Sequence, residues 1–229
     1  MFKRLSQLWK GEDFFKQVFD DFKTMLDDTE GMFTSVCEKI IADKASPDLK
    51  DRTYKSDKNV NRLQKEIRRR IVEHLSIRQS DAPTCLLLMS VVKDAERLGD
   101  YAKNLFEISS LLDKPLDKNI YLNLFDSIEK DILQLFQQTK QAFIDLDKNE
   151  ARKSWLKEKK IAKRCDSIIR ELARTSNIST NEAVCLTLIA RHFKRIGAHL
   201  TNIATSVIVP LSDLDYFDEK MLNKGILDA

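Results

Sequence analysis

Residues 94–100 read DAERLGD, a glycine set inside a helical pattern between Glu96 and Asp100. Ninety-eight residues on (194 minus 96), HFKRIGA at 192–198 repeats the rhythm around Gly197, with Lys194 in place of the glutamate and Ala198 in place of the aspartate. A repeat of this length is too long for a helical solenoid unit. It fits a chain built as two copies of a three-helix unit.

The surrounding sequence supports long helices. Charged residues make up 33% and hydrophobic ones 42%, whereas the 229 residues include only 5 glycines and 4 prolines. Turn-poor composition of this kind disfavours sheets with many reversals. Around DAERLGD, an apolar stripe of Leu88, Val91, Ala95, Leu98, Ala102, Leu105 and Leu112 runs at intervals of three, four and seven, as one buried helix face requires. SDAP at 80–83 starts it, with Ser80 or Asp81 as the cap and Pro83 in the first turn. Upstream, Phe15 to Ile40 and Val60 to Ile71 mark two further helices, separated by a predicted loop over 43–56 that contains Pro47. Downstream, Asp117 caps a predicted helix from Leu124 to Leu146, and a helix from Trp155 to Leu172 follows. Ser179 and Glu182, at capping-box spacing, open the last one, which closes before Pro210. The expected fold is all-α: a three-helix bundle over 1–115, a second over 116–210, and a tail over 211–229.

Several function classes lose ground here. With 39 basic and 36 acidic residues, the net charge of +3 does not point to nucleic acid. Cys37, Cys85, Cys165 and Cys185 form no CxxC pair and lie in apolar helical patterns, which predicts buried reduced thiols. No apolar run approaches the ~20 residues of a membrane span. MFKRLSQLWKG is too short and polar for a secretory signal, so a cytoplasmic protein is expected. The histidines His74, His192 and His199 form no E-x-x-H arrangement, and neither a phosphate-binding glycine loop nor a nucleophile elbow is present. His199 reads as a partly buried helix histidine. An enzyme is not expected.

Glu96, Asp100 and Asn104 stack one turn apart on the flank of the third helix, and Asp57 and Asn61 have the same spacing on the second. If the two rows face each other, their oxygens suit a hard or borderline cation. Lys93 and Lys103, each three residues from a carboxylate, equally suit ordinary ion pairs. Both readings are open on spacing alone. Gly99 and Gly197 cost ~1 kcal/mol each relative to alanine, so their recurrence points to close helix packing.

ERLGDYAKNL with the upstream DKNVN, and KRIGAHLTNI in the second half, resemble the PhoU family of phosphate-uptake regulators over residues 12 to 210. The resemblance implies two three-helix bundles with metal held on acidic motifs. The implied first-half ligands are Glu96, Asp100, Asp57, Asn61 and Asn104, and the implied metal is Fe, Zn, Mn or Mg. In the second half Glu158 aligns with Asp57 and Asn202 with Asn104, but Ala162, Lys194 and Ala198 replace Asn61, Glu96 and Asp100. Protonated lysine and alanine cannot ligate, so no second-half metal is expected. The resemblance also implies a cytoplasmic adapter, peripheral to the inner membrane, whose partners are a phosphate transporter component or a sensor histidine kinase.

Positive charge stands where the second motif is lost. Lys157, Lys159, Lys160, Lys163 and Arg164, with Lys194 and Arg195 on the facing helix, make a candidate patch for an acidic partner, an anion or a membrane surface. A solvated face is the alternative reading. A membrane-surface accessory of a sodium- or proton-coupled phosphate carrier, acting through this basic face and the amphipathic start MFKRLSQLW, is the second function expected. Long exposed bundle faces also invite a homodimer.

Overall fold

The structure, a computed structural model, describes residues 13–44 and 46–217. The start MFKRLSQLW, and with it the expected anchor, lies outside the described residues, as does the tail beyond 217. Seven α-helices run through the described chain: α1 (Asp13–Ala42), α2 (Leu49–Ile77), α3 (Ala82–Ser109), α4 (Lys118–Phe125), α5 (Ile128–Ile144), α6 (Lys148–Leu172) and α7 (Thr180–Thr205). Helices α1, α2 and α3 pack together, as do α5, α6 and α7, and α3 lies along α7 between the two groups.

The apolar stripes read from the sequence are the buried faces. Val60, Leu63, Ile67 and Ile71 of α2 face inward, and so do Val91, Ala95, Leu98, Ala102 and Leu105 of α3. The two groups share one continuous hydrophobic cluster. At the seam Phe193 of α7 meets Phe33 of α1 at 5.6 Å and Phe125 of α4 at 5.8 Å between ring centroids. Polar ties cross as well: Lys140 of α5 pairs with Asp27 and Glu30 of α1.

Three caps behave as their sequences require. The Asp117 carboxylate accepts from the Asn119 and Ile120 amides, Asp147 from those of Asn149 and Glu150, and Ser179 Oγ from Glu182 N at 3.2 Å. Asp81 departs from expectation. It sits at the N-cap of α3 without capping it, because its Oδ2 is 2.9 Å from His74 Nε2.

Two boundaries differ from the sequence reading. Helix α2 starts at Leu49, inside the predicted loop, because Leu49 and Thr53 are buried and Tyr54 donates to Glu107 Oε1 at 2.9 Å. Polar Thr53 and Asp57 interrupt the apolar stripe between Leu49 and Val60. The fourth predicted helix is broken: Asp126 and Ser127 both take left-handed φ, 45° and 63°, and separate α4 from α5. Short polar side chains tolerate that conformation better than most. A straight helix would set residues 121 and 129 about 12 Å apart along its axis. The break instead lets the buried Tyr121 hydroxyl donate to Glu129 Oε2 at 3.0 Å.

Candidate functional site: the charged groove between the second and third helices

Antiparallel α2 and α3 bring Asp57 opposite Asp100 and Lys103. The Asp57 carboxylate is buried, with its residue 8% exposed. Lys103 donates to both its oxygens at 3.1 Å and stands 3.5 Å from Asp100 Oδ1. Arg97 closes the outer side, 3.0 Å from Asp100 Oδ2 and 3.7 Å from Glu96 Oε2. Asn61 and Asn104 are half-buried beside this cluster. Lys93, an expected partner of Glu96, turns instead toward Asp94 and Asp215, at 3.8 and 3.6 Å.

Burial, and then the neighbouring Asp100 charge, raise the pKa of Glu96 above the ordinary carboxylate value. A carboxyl raised on folding favours the folded state below its unfolded pKa and loses that advantage as pH climbs through the folded value. Glu96→Gln is therefore expected to match or slightly exceed the wild type in thermal stability at pH 7, and the difference should vanish toward pH 4. Melting curves across that range check it. A loss at pH 7 would mean that ionised Glu96 holds a cation.

The residues as placed do not fit a resident metal ion. Among the described residues no three His, Cys, Asp or Glu side chains converge in a way that would hold one. The space between Asp57 and Asp100 is taken by the Lys103 ammonium.

Gly99 and Gly197 occupy equivalent places. A Cβ added at Gly99 would lie 3.5 Å from Thr29 Cγ2 and 3.6 Å from Val60 Cγ1; at Gly197 it would lie 3.5 Å from Glu158 Cγ and 3.8 Å from Ile161 Cγ2. These are ordinary van der Waals separations. At both glycines the space would accept a methyl group.

Several basic residues of the second half are engaged by neighbouring helices. Lys157 reaches α5, donating to Asp131 at 3.1 Å and Gln134 at 2.6 Å. Arg164 donates to the Asn123 carbonyl, and Lys194 donates to both oxygens of Asp166 at 2.7 Å. Arg195 crosses to the first half, where its Nε donates to Tyr101 Oη at 3.1 Å. Lys159 is half-buried on α6. Lys160 and Lys163 remain exposed, without an ion pair among the described residues. With Lys153, Lys157 and the exposed Leu156, Lys160 lines an open groove of about 420 Å³.

Two residues carry more than the sequence reading assigned them. Asp94, 1% exposed, is hydrogen-bonded to His199 Nδ1 at 2.8 Å and so joins α3 to α7. Tyr101 stacks on the same imidazole at 5.6 Å. The helical angle offered a signal, since Asp94 falls beside Leu105 on the buried stripe. All four cysteines are free and buried. Desolvation raises their thiol pKa values, for Cys85 to about 11 and for Cys165 to about 12, so they stay protonated and inert at neutral pH.

Two repeated three-helix groups, each clamped by a lysine–aspartate pair between its second and third helices, define a paired-bundle scaffold. The chain belongs to the PhoU domain family, whose pattern matches residues 22–109 and 125–207. It is 27% identical over 179 residues to the phosphate-specific transport system accessory protein PhoU of Escherichia coli K12, an alignment covering 74% of this chain and 72% of that protein. The fold is that of the crystal structure of PhoU from Pseudomonas aeruginosa, with a TM-score of 0.73 at 21% identity over 85% of this chain and 95% of that one. The Streptococcus pneumoniae phosphate transport system regulatory protein PhoU superposes with a TM-score of 0.69 at 18% identity, covering 89% and 97%. No helix among the described residues is long and apolar enough to cross a membrane.

Proposed function

We propose that this chain is a regulatory adapter of phosphate uptake, acting by protein contact on a phosphate transporter component or its sensor histidine kinase. The observation that carries the reading is the PhoU domain match in both halves. The accessory and regulatory names of its relatives agree with it. Each half, residues 1–115 and 116–210, contributes one copy of the adapter unit, in a cytoplasmic protein that visits the inner membrane through its partner. The contact surface is the α6 groove, where Lys160 offers unneutralised charge beside exposed Leu156, with exposed Lys163 further along the same helix. Anchors of this kind, apolar at the centre and charged at the rim, suit an acidic protein surface.

Deleting the gene in its own host and measuring phosphate uptake and phosphate-starvation reporters in high phosphate tests the function. Derepression is expected, and it should be reversed by the wild type but not by Lys160→Glu/Lys163→Glu, which keeps the wild-type melting temperature. Unchanged reporters and uptake in the deletion strain would overturn the adapter reading. Complementation by the charge-reversed variant would move the contact surface elsewhere. Flotation of the purified chain with anionic vesicles, lost on removing residues 1–10, would favour the membrane-surface alternative.

A further inference from the structure

We propose that Lys103 is the built-in cation of the α2–α3 groove, so that this chain keeps its acidic motif charged and closed without a bound metal ion. Three carboxylates, of Asp57, Glu96 and Asp100, bring like charge to one half-buried place, and such a cluster needs a counter-cation. The Lys103 ammonium provides it from within the chain, with both Asp57 oxygens at 3.1 Å and Asp100 at 3.5 Å. Arg97 neutralises the outer oxygens. A divalent ion in the same place would have to displace an ammonium already bonded to a buried carboxylate and then sit beside a guanidinium. Each step opposes its binding electrostatically.

The second half arrives at the same clamp from different residues, which argues against accident. Lys103 corresponds to Thr201 and Asp57 to Glu158, yet there the bridge between the second and third helices of the unit is Lys194 to Asp166, both oxygens at 2.7 Å. The space beside Glu158 is closed by the chain itself. A cavity of only about 70 Å³ remains, lined by Glu158, Ala198, Asp215, Trp155 and Phe217 among others, and the last two rings meet edge to face at 5.3 Å. In each half one ammonium ties the third helix to the second, at positions that are not equivalent in the repeat.

The test uses the purified full chain, stripped with chelator and then equilibrated separately with Mn²⁺, Fe²⁺, Zn²⁺ and Mg²⁺. Metal content after gel filtration and Mn²⁺ titration calorimetry are the readouts. The wild type is expected to retain no stoichiometric metal. Lys103→Met should bind Mn²⁺ at least about tenfold more tightly than the wild type, and Asp57→Asn in that background should abolish the gain. One equivalent in the wild type that Asp57→Asn or Asp100→Asn removes would overturn the proposal. So would a folded Lys103→Met with wild-type affinity. Should Lys103→Met fail to fold, thermal melting of the wild type decides: no shift on adding Mn²⁺ supports the built-in cation, and a clear upward shift refutes it.

Discussion

Phe193→Ala is expected to lower the unfolding free energy by about 3–5 kcal/mol, the range for truncating a fully buried aromatic residue. For a chain of this size that corresponds to a melting temperature lower by roughly 10 °C. Phe193 lies on α7, but its ring neighbours are Phe33 of α1 and Phe125 of α4, so the cavity opens where the two helical groups meet. The damage should therefore spread to both groups. Far-UV circular dichroism and Trp155 fluorescence, in a Trp9→Phe background and followed through one denaturant titration, should report coincident transitions with and without Phe193→Ala. Separate transitions, with one group unfolding at its wild-type midpoint, would show that the halves have independent cores despite their continuous apolar cluster.

Helix periodicity in the sequence recovers the long elements because each of them buries a single stripe, and a stripe is a local pattern. What it misses depends on partners distant in the chain. Leu49 and Thr53 extend α2 through contacts that no repeat of apolar residues announces, and the α4–α5 break answers to the Tyr121–Glu129 bond. The groove was legible as a set of facing oxygens. Its occupant was not, because three cations, Lys93, Arg97 and Lys103, were within helical reach of the acids. Register across two helices selects Lys103 for Asp57, while Lys93 is drawn to Asp94 and Asp215. The α6 patch is partly neutralised for a related reason: charge counted along the sequence ignores the acids on neighbouring helices, Asp131 and Asp166, that pair with Lys157 and Lys194.

The Asp94–His199 bridge carries the second large effect. Asp94 is almost wholly buried, and His199 is its close polar partner on α7, with Lys93 at 3.8 Å as a distant companion. His199→Ala leaves a buried carboxylate without that hydrogen bond, and stranding a charge in this way costs about 3–5 kcal/mol. Asp94→Asn should cost only about 1 kcal/mol, because an amide can still bond a neutral imidazole. Replacing both together, as Asp94→Leu/His199→Leu, removes the desolvation penalty along with the bond and should recover most of the loss. Urea titrations of the two single variants and the Leu/Leu double variant compare these three losses at the α3–α7 seam. Asymmetric single losses with a rescued double would identify the pair as a specificity device that fixes how the halves meet. A His199→Ala variant as stable as the wild type would mean that water or Lys93 satisfies Asp94, and the seam would then owe its geometry to Phe193 and its apolar neighbours.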